Sequence, residues 1–171
     1  FNNPGNSALL LRLNADGSVD QSFGVNGLRT LNVDNGTTSA RTLALGSDGS
    51  IYVGGTFRPA DDPANFDRFV ARYTANGALV GSFGVNGVVQ INFEDFDANE
   101  DPFDFAGSLL VDAQDRVYDC GASRSFNPGT LVVLSAARLT PQGQLDGSFG
   151  SGGRVYRTFN DLNNVSYVNG C

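Results

Sequence analysis

A chain that repeats itself has to bury its apolar faces against its own copies, and this chain repeats. Leu11-Arg12-Leu13-Asn14-Ala15-Asp16-Gly17, Ala71-Arg72-Tyr73-Thr74-Ala75-Asn76-Gly77 and Ala137-Arg138-Leu139-Thr140-Pro141-Gln142-Gly143 are three versions of one strand that ends in a turn. Each leads into a Ser-Phe-Gly triplet, at Phe23, Phe83 and Phe149, and a further glycine follows at Gly27, Gly87 and Gly153. The phenylalanines are 60 and then 66 residues apart. The stretch from Ala44 to Gly55 recurs as Leu110 to Gly121, again 66 residues on. The six extra residues of the second copy fall between Phe93 and Phe105, in an acidic loop, where an insertion leaves the strands intact.

Within the first copy, alternation and Asn/Asp-Gly turns predict four short strands, about residues 8–13, 28–33, 40–46 and 51–57. In the second copy Val89, Ile91 and Phe93 alternate with Val88, Gln90 and Asn92, and Leu43 and Leu45 mark the inward face of a first-copy strand. No segment carries a capped 3.6-residue period. Four strands per unit is the content of one propeller blade. The expected fold is all-β, a tandem array of four-stranded antiparallel blades forming a partial or assembled β-propeller. One array covers residues 1–171, with repeat 1 at 1–63, repeat 2 at 64–125 and an incomplete repeat 3 at 126–171. Phe23, Phe83 and Phe149 are expected to wedge between neighbouring blades, with flanking glycines turning the backbone beside them. Arg12, Arg72 and Arg138, also at one repeated position, are expected to tie adjacent blades or turn carbonyls.

These motifs resemble the bacterial delta-60 repeat proteins, whose unit runs L-x-R-L-N-x-D-G-x-x-D-x-S-F-G-x-x-G and continues into a D-G-x-I-x-V-x-G-G hairpin. Leu11 to Gly27 and Ser47 to Gly55 carry the pattern. The second unit has Asn76 for the turn Asp and Asp115 in place of Gly49, and the third keeps Ser148-Phe149-Gly150. The resemblance implies propeller-like blades in exported or surface proteins and brings no catalytic signature with it.

Three blades are too few for the usual ring of four to eight. An unpaired strand edge is therefore expected, either within a longer array or completed by strand addition between copies.

Composition narrows the function. Formal charge is -7, and the eleven cations are all arginines, scattered rather than clustered, which argues against a nucleic-acid surface. No apolar run approaches the ~20 residues of a membrane-spanning helix. The absence of histidine removes Ser-His-Asp and Cys-His catalysis and imidazole metal sites, so no enzyme is expected. Asp95, Asp97, Asn99 and Asp101 place oxygens two residues apart, as a Ca²⁺ loop would. The sixth position, glycine in an EF-hand, is Glu100, so a solvated acidic insertion is the plainer reading. No other cofactor is expected. Cys120, standing in place of Gly54, and Cys171 are candidates for a disulfide between blades.

The expected function is an extracellular or cell-surface structural and interaction protein, binding a protein partner or copies of itself. The alternative is a carbohydrate-binding propeller module with Tyr52 or Tyr118 in inter-blade grooves, and a further one a non-catalytic piece of a larger exported protein.

Overall fold

The computed structural model describes residues 6–62, 65–93, 103–125 and 131–158. They form an all-β array without helix among the described residues. Strand β1 (Ala8–Leu11) pairs with β2 (Leu28–Leu31) in a two-stranded sheet. A four-stranded antiparallel meander follows, made of β3 (Thr37–Leu45), β4 (Ile51–Arg58), β5 (Asp67–Tyr73) and β6 (Val88–Ile91). A second such sheet holds β7 (Phe103–Val111), β8 (Val117–Ser125), β9 (Leu131–Leu139) and β10 (Arg154–Thr158). The sheets do not close on themselves.

The sheets are out of phase with the sequence repeat. The repeat boundaries at 63 and 125 fall between β4 and β5 and between β8 and β9, so each four-stranded sheet takes two strands from one repeat and two from the next. The first copy's strands, expected in one blade, divide between two sheets. The division comes at residues 32–36, where Asp34 and Asn35 adopt left-handed φ of 53° and 52° and carry the chain across from β2 to β3. A periodic sequence fixes strand order, but where one sheet ends depends on such crossings.

Two apolar layers separate the three sheets. Phe23, Leu31, Val33, Val53, Phe57 and Phe69 fill the first, and Tyr52, Val70, Phe83, Ile91, Phe93 and Leu139 the second. The middle sheet is covered on both faces, and β4 is buried from Ile51 to Phe57, as its nearly continuous apolar run requires.

The two hairpins β3–β4 and β7–β8 share a bulge, seen as a register shift between Ala40 and Thr42 and between Ala106 and Ser108. It brings the carbonyl oxygen of Ser39 or Phe105 within 2.0 Å of where a β-carbon on Gly55 or Gly121 would stand. Only glycine fits there, which is the physical content of the second glycine of the hairpin motif.

Candidate functional site

The repeated arginines and phenylalanines stitch each sheet to the next turn. Phe23 and Phe83 are fully buried, and each packs under a glycine of the following repeat: a β-carbon on Gly77 would lie 2.7 Å from the Phe23 ring, and one on Gly143 3.0 Å from Phe83. The next residue completes the joint, Gly24 N–H donating to the Asn76 carbonyl (3.1 Å) and Gly84 N–H to the Gln142 carbonyl (2.9 Å). Arg12 reaches the Ala75 carbonyl and Arg72 that of Pro141, at 3.2 Å for the latter. Phe149 is half-buried, in contact with Arg138 and Tyr118.

Each arginine also holds an acid. Arg12 Nε donates to Asp20 Oδ2 and Arg138 Nε to Asp146 Oδ2, both at 2.8 Å. Hydrogen bonds from Ser22 and Ser148, followed by the arginines themselves, hold those carboxyls below the usual range. In the second copy this position is Val80, and Arg72 turns instead to Asp48 (2.9 Å) and Ser50 in the hairpin beside it. Asp115, which replaces Gly49, keeps a left-handed φ of 56° and accepts the N–H and hydroxyl of Ser47 in the neighbouring sheet, at 3.0 and 2.9 Å.

A buried ionic centre lies between the second and third sheets, and the repeat alone does not announce it. Arg68, Asp104, Asp119, Ser123 and Ser135 are all 0% exposed. The Arg68 guanidinium lies 4.0 Å from the Phe93 ring centroid, donates to Ser135 Oγ (3.0 Å) and stands 3.3 Å from Asp119 Oδ2. Asp104 Oδ2 accepts the Phe93 N–H at 3.0 Å, the part that Thr38 Oγ1 plays for Val33 N–H in the first layer. One cation faces two carboxylates here. Burial pushes both acids up, Asp104 to about 7, against the opposing pull of Arg68. In the first layer the corresponding residues are Ala8, Thr38, Val53, Phe57 and Phe69. A large arginine replaces an alanine where two serines replace two phenylalanines, so volume is exchanged across the interface while polarity is inverted. The readable signal is charge at repeat positions that are apolar in the other copies.

The other exposed feature is β1. Among the described residues its only ladder is to β2. Leu9, Leu11 and Leu13 are 52%, 48% and 53% exposed, whereas the matching β5 residues Phe69, Ala71 and Tyr73 are buried. Leu43 and Leu45, expected to face inward, are exposed too, because nothing described covers that side of β3. Their counterparts Leu109 and Val111 pack into the second layer.

Tyr52 is fully buried under Arg72 and edge-on to Phe83, so it offers no ring face to a sugar. Tyr118 is half-buried against Arg138 and Phe149. The acidic loop with Asp95, Asp97, Asn99 and Asp101 lies outside the described residues, as does Cys171. Cys120 is buried on β8. No helix is long and apolar enough to cross a membrane.

A protein family described as "Domain of unknown function (DUF5122) beta-propeller" matches residues 1–23 and 46–79. The matched segments contain Arg12, Phe23, the Tyr52 hairpin strand and Arg72. The chain is built of β-propeller-like repeats. The match covers a minor part of the chain and does not single out the delta-60 family. No curated protein matches the chain.

Proposed function

We propose that this protein is a non-catalytic structural and interaction protein that works outside the cell and associates with copies of itself by strand addition. The observation that carries the reading is the strand edge of β1, continuous with the apolar face of Leu9, Leu11 and Leu13. An edge of this kind pairs with another chain unless it is blunted by charge, proline or a covering loop. Support for the non-catalytic part comes from the absence of histidine and from the closure of the one carboxylate pair with strongly raised pKa values, Asp104 and Asp119, which no substrate reaches. The exported location rests on the delta-60 resemblance of Leu11 to Gly27.

Sedimentation velocity over a wide concentration range tests the association. The expected result is reversible assembly that Leu9→Asp with Leu11→Asp abolishes while leaving the circular dichroism unchanged. A chain that stays monomeric at every concentration would overturn the self-association.

A further inference from the structure

We propose that the gap beside β1 is a docking site for a β-hairpin of this same repeat, supplied by a second polypeptide, whose second strand adds antiparallel to β1. The inference rests on the strand-addition reading above and gives it a partner of defined chemistry.

The molecule contains two completed examples of the joint. Strands β5 and β9 are the counterparts of β1, and each is flanked on its other side by a hairpin strand, β4 or β8. In those ladders Tyr52 stands opposite Arg72 and Tyr118 opposite Arg138, while Gly54 and Gly55 stand opposite Val70 and Phe69. Carried to β1, the register puts an incoming tyrosine opposite Arg12 and a Gly-Gly pair opposite Leu10 and Leu9. Arg72 and Arg138 lie 5.4 and 5.8 Å from their tyrosine rings. Arg12 rests on Phe23 alone among the described aromatic residues, at 4.8 Å, so one side of the cluster is open to a ring.

The opposite wall of the gap fits the same occupant. In the completed interface, Leu109 fills the space over Gly54, 2.9 Å from where a β-carbon would be, and its N–H donates to Thr42 Oγ1 at 3.2 Å. Leu43 is the counterpart of Leu109 and is half-exposed. It therefore presents a side chain and a strand N–H to a hairpin that has glycine and threonine at those two positions. A shallow apolar groove between the walls is lined by Ala8, Leu10, Leu31, Ala40, Val53 and Tyr73. Two β1 edges paired with each other would leave Leu43 and Leu45 uncovered and Arg12 without its ring, so the geometry favours a hairpin over a symmetric edge-to-edge dimer. Thr37 to Arg58 of this chain has every required feature: Thr42, the Asp48-Gly49 turn, Tyr52, Gly54 and Gly55.

The test is a fluorescence-anisotropy titration of the whole protein against a labelled synthetic peptide spanning residues 37–58. A second form of the peptide is cyclised through its ends, which are register partners in the folded hairpin, so that failure to close does not hide binding. Saturable one-to-one binding is expected. Tyr52→Ala or Gly54→Leu in the peptide should weaken it at least about tenfold, as should Leu43→Asp in the protein. Leu110→Asp, at an exposed leucine on the third sheet, should leave it unchanged. No binding by either peptide, or binding indifferent to Gly54→Leu and Leu43→Asp, would overturn the proposal. A protein that assembles on its own, yet neither binds the peptide nor is blocked by it, overturns the hairpin and leaves self-association standing. A monomer that binds the peptide does the reverse.

Discussion

Arg72 shows how one side-chain type serves a repeated joint without a fixed partner. Where Arg12 and Arg138 have an aspartate eight residues on, Arg72 has Val80 and borrows Asp48 and Ser50 from the adjacent hairpin, while still reaching the Pro141 carbonyl. Three directed contacts from one guanidinium are beyond an ammonium group. Arg72→Lys is expected to cost about 1–2 kcal/mol in urea unfolding, more than Arg72→Lys in a variant that already carries Val80→Asp, where the cation regains a local acid. The buried centre makes a second residue-scale prediction. Asp104 titrates near 7 in the folded protein against 3.8 as its reference, so the folded state holds a proton that the unfolded state has lost between those values. Folding stability is then greatest in acid as far as this group is concerned. It falls as pH rises from about 4 through about 7, by on the order of a few kcal/mol in all. Urea midpoints measured from pH 5 to pH 8 should decline, and Asp104→Asn should remove most of the slope.

At the scale of strands and hairpins, the bulge opposite Gly121 is the most demanding feature. Gly121→Ala must displace the Phe105 carbonyl as well as crowd Arg68, so it should cost about 3 kcal/mol or more. Gly147→Ala, with open space around it, should be close to neutral in the same chemical denaturation. Much of this was legible in the sequence: the Ser-Phe-Gly connectors, the Asp-Gly turns and the Gly-Gly hairpins recur, and each recurrence marks a backbone geometry that few residues adopt. The grouping of strands into sheets was not, because Asp34 and Asn35 do not differ in kind from other turn residues, and their crossing from β2 to β3 sets the phase. Nor was the ionic centre, since Arg68, Asp119 and Asp104 come from three strands and meet only once the sheets stack. What hid them was attention to the residues that repeat; the informative ones were those that break the repeat. Transplanting the first layer into the second tests that account. Arg68→Ala alone strands two buried acids and should cost about 3–5 kcal/mol. Combined with Asp104→Thr, Asp119→Val, Ser123→Phe and Ser135→Phe, it should recover most of that loss and abolish the pH dependence in thermal melts.

Over the whole molecule, stability is passed between neighbouring sheets, since each apolar layer is contributed by one sheet and the next. Phe83 sits in a completed joint and Phe149 in an open one. Phe83→Ala should therefore cost about 3–5 kcal/mol and Phe149→Ala markedly less, by differential scanning calorimetry. The stagger between sequence unit and sheet has a wider consequence. Because every four-stranded sheet is shared by two consecutive units, the start of a unit can be drawn at any strand, and excising or duplicating one full period rejoins strands of the kinds that were parted. Such an array can lengthen or shorten in whole steps through recombination at many points along its gene, without an intermediate that leaves a sheet half built.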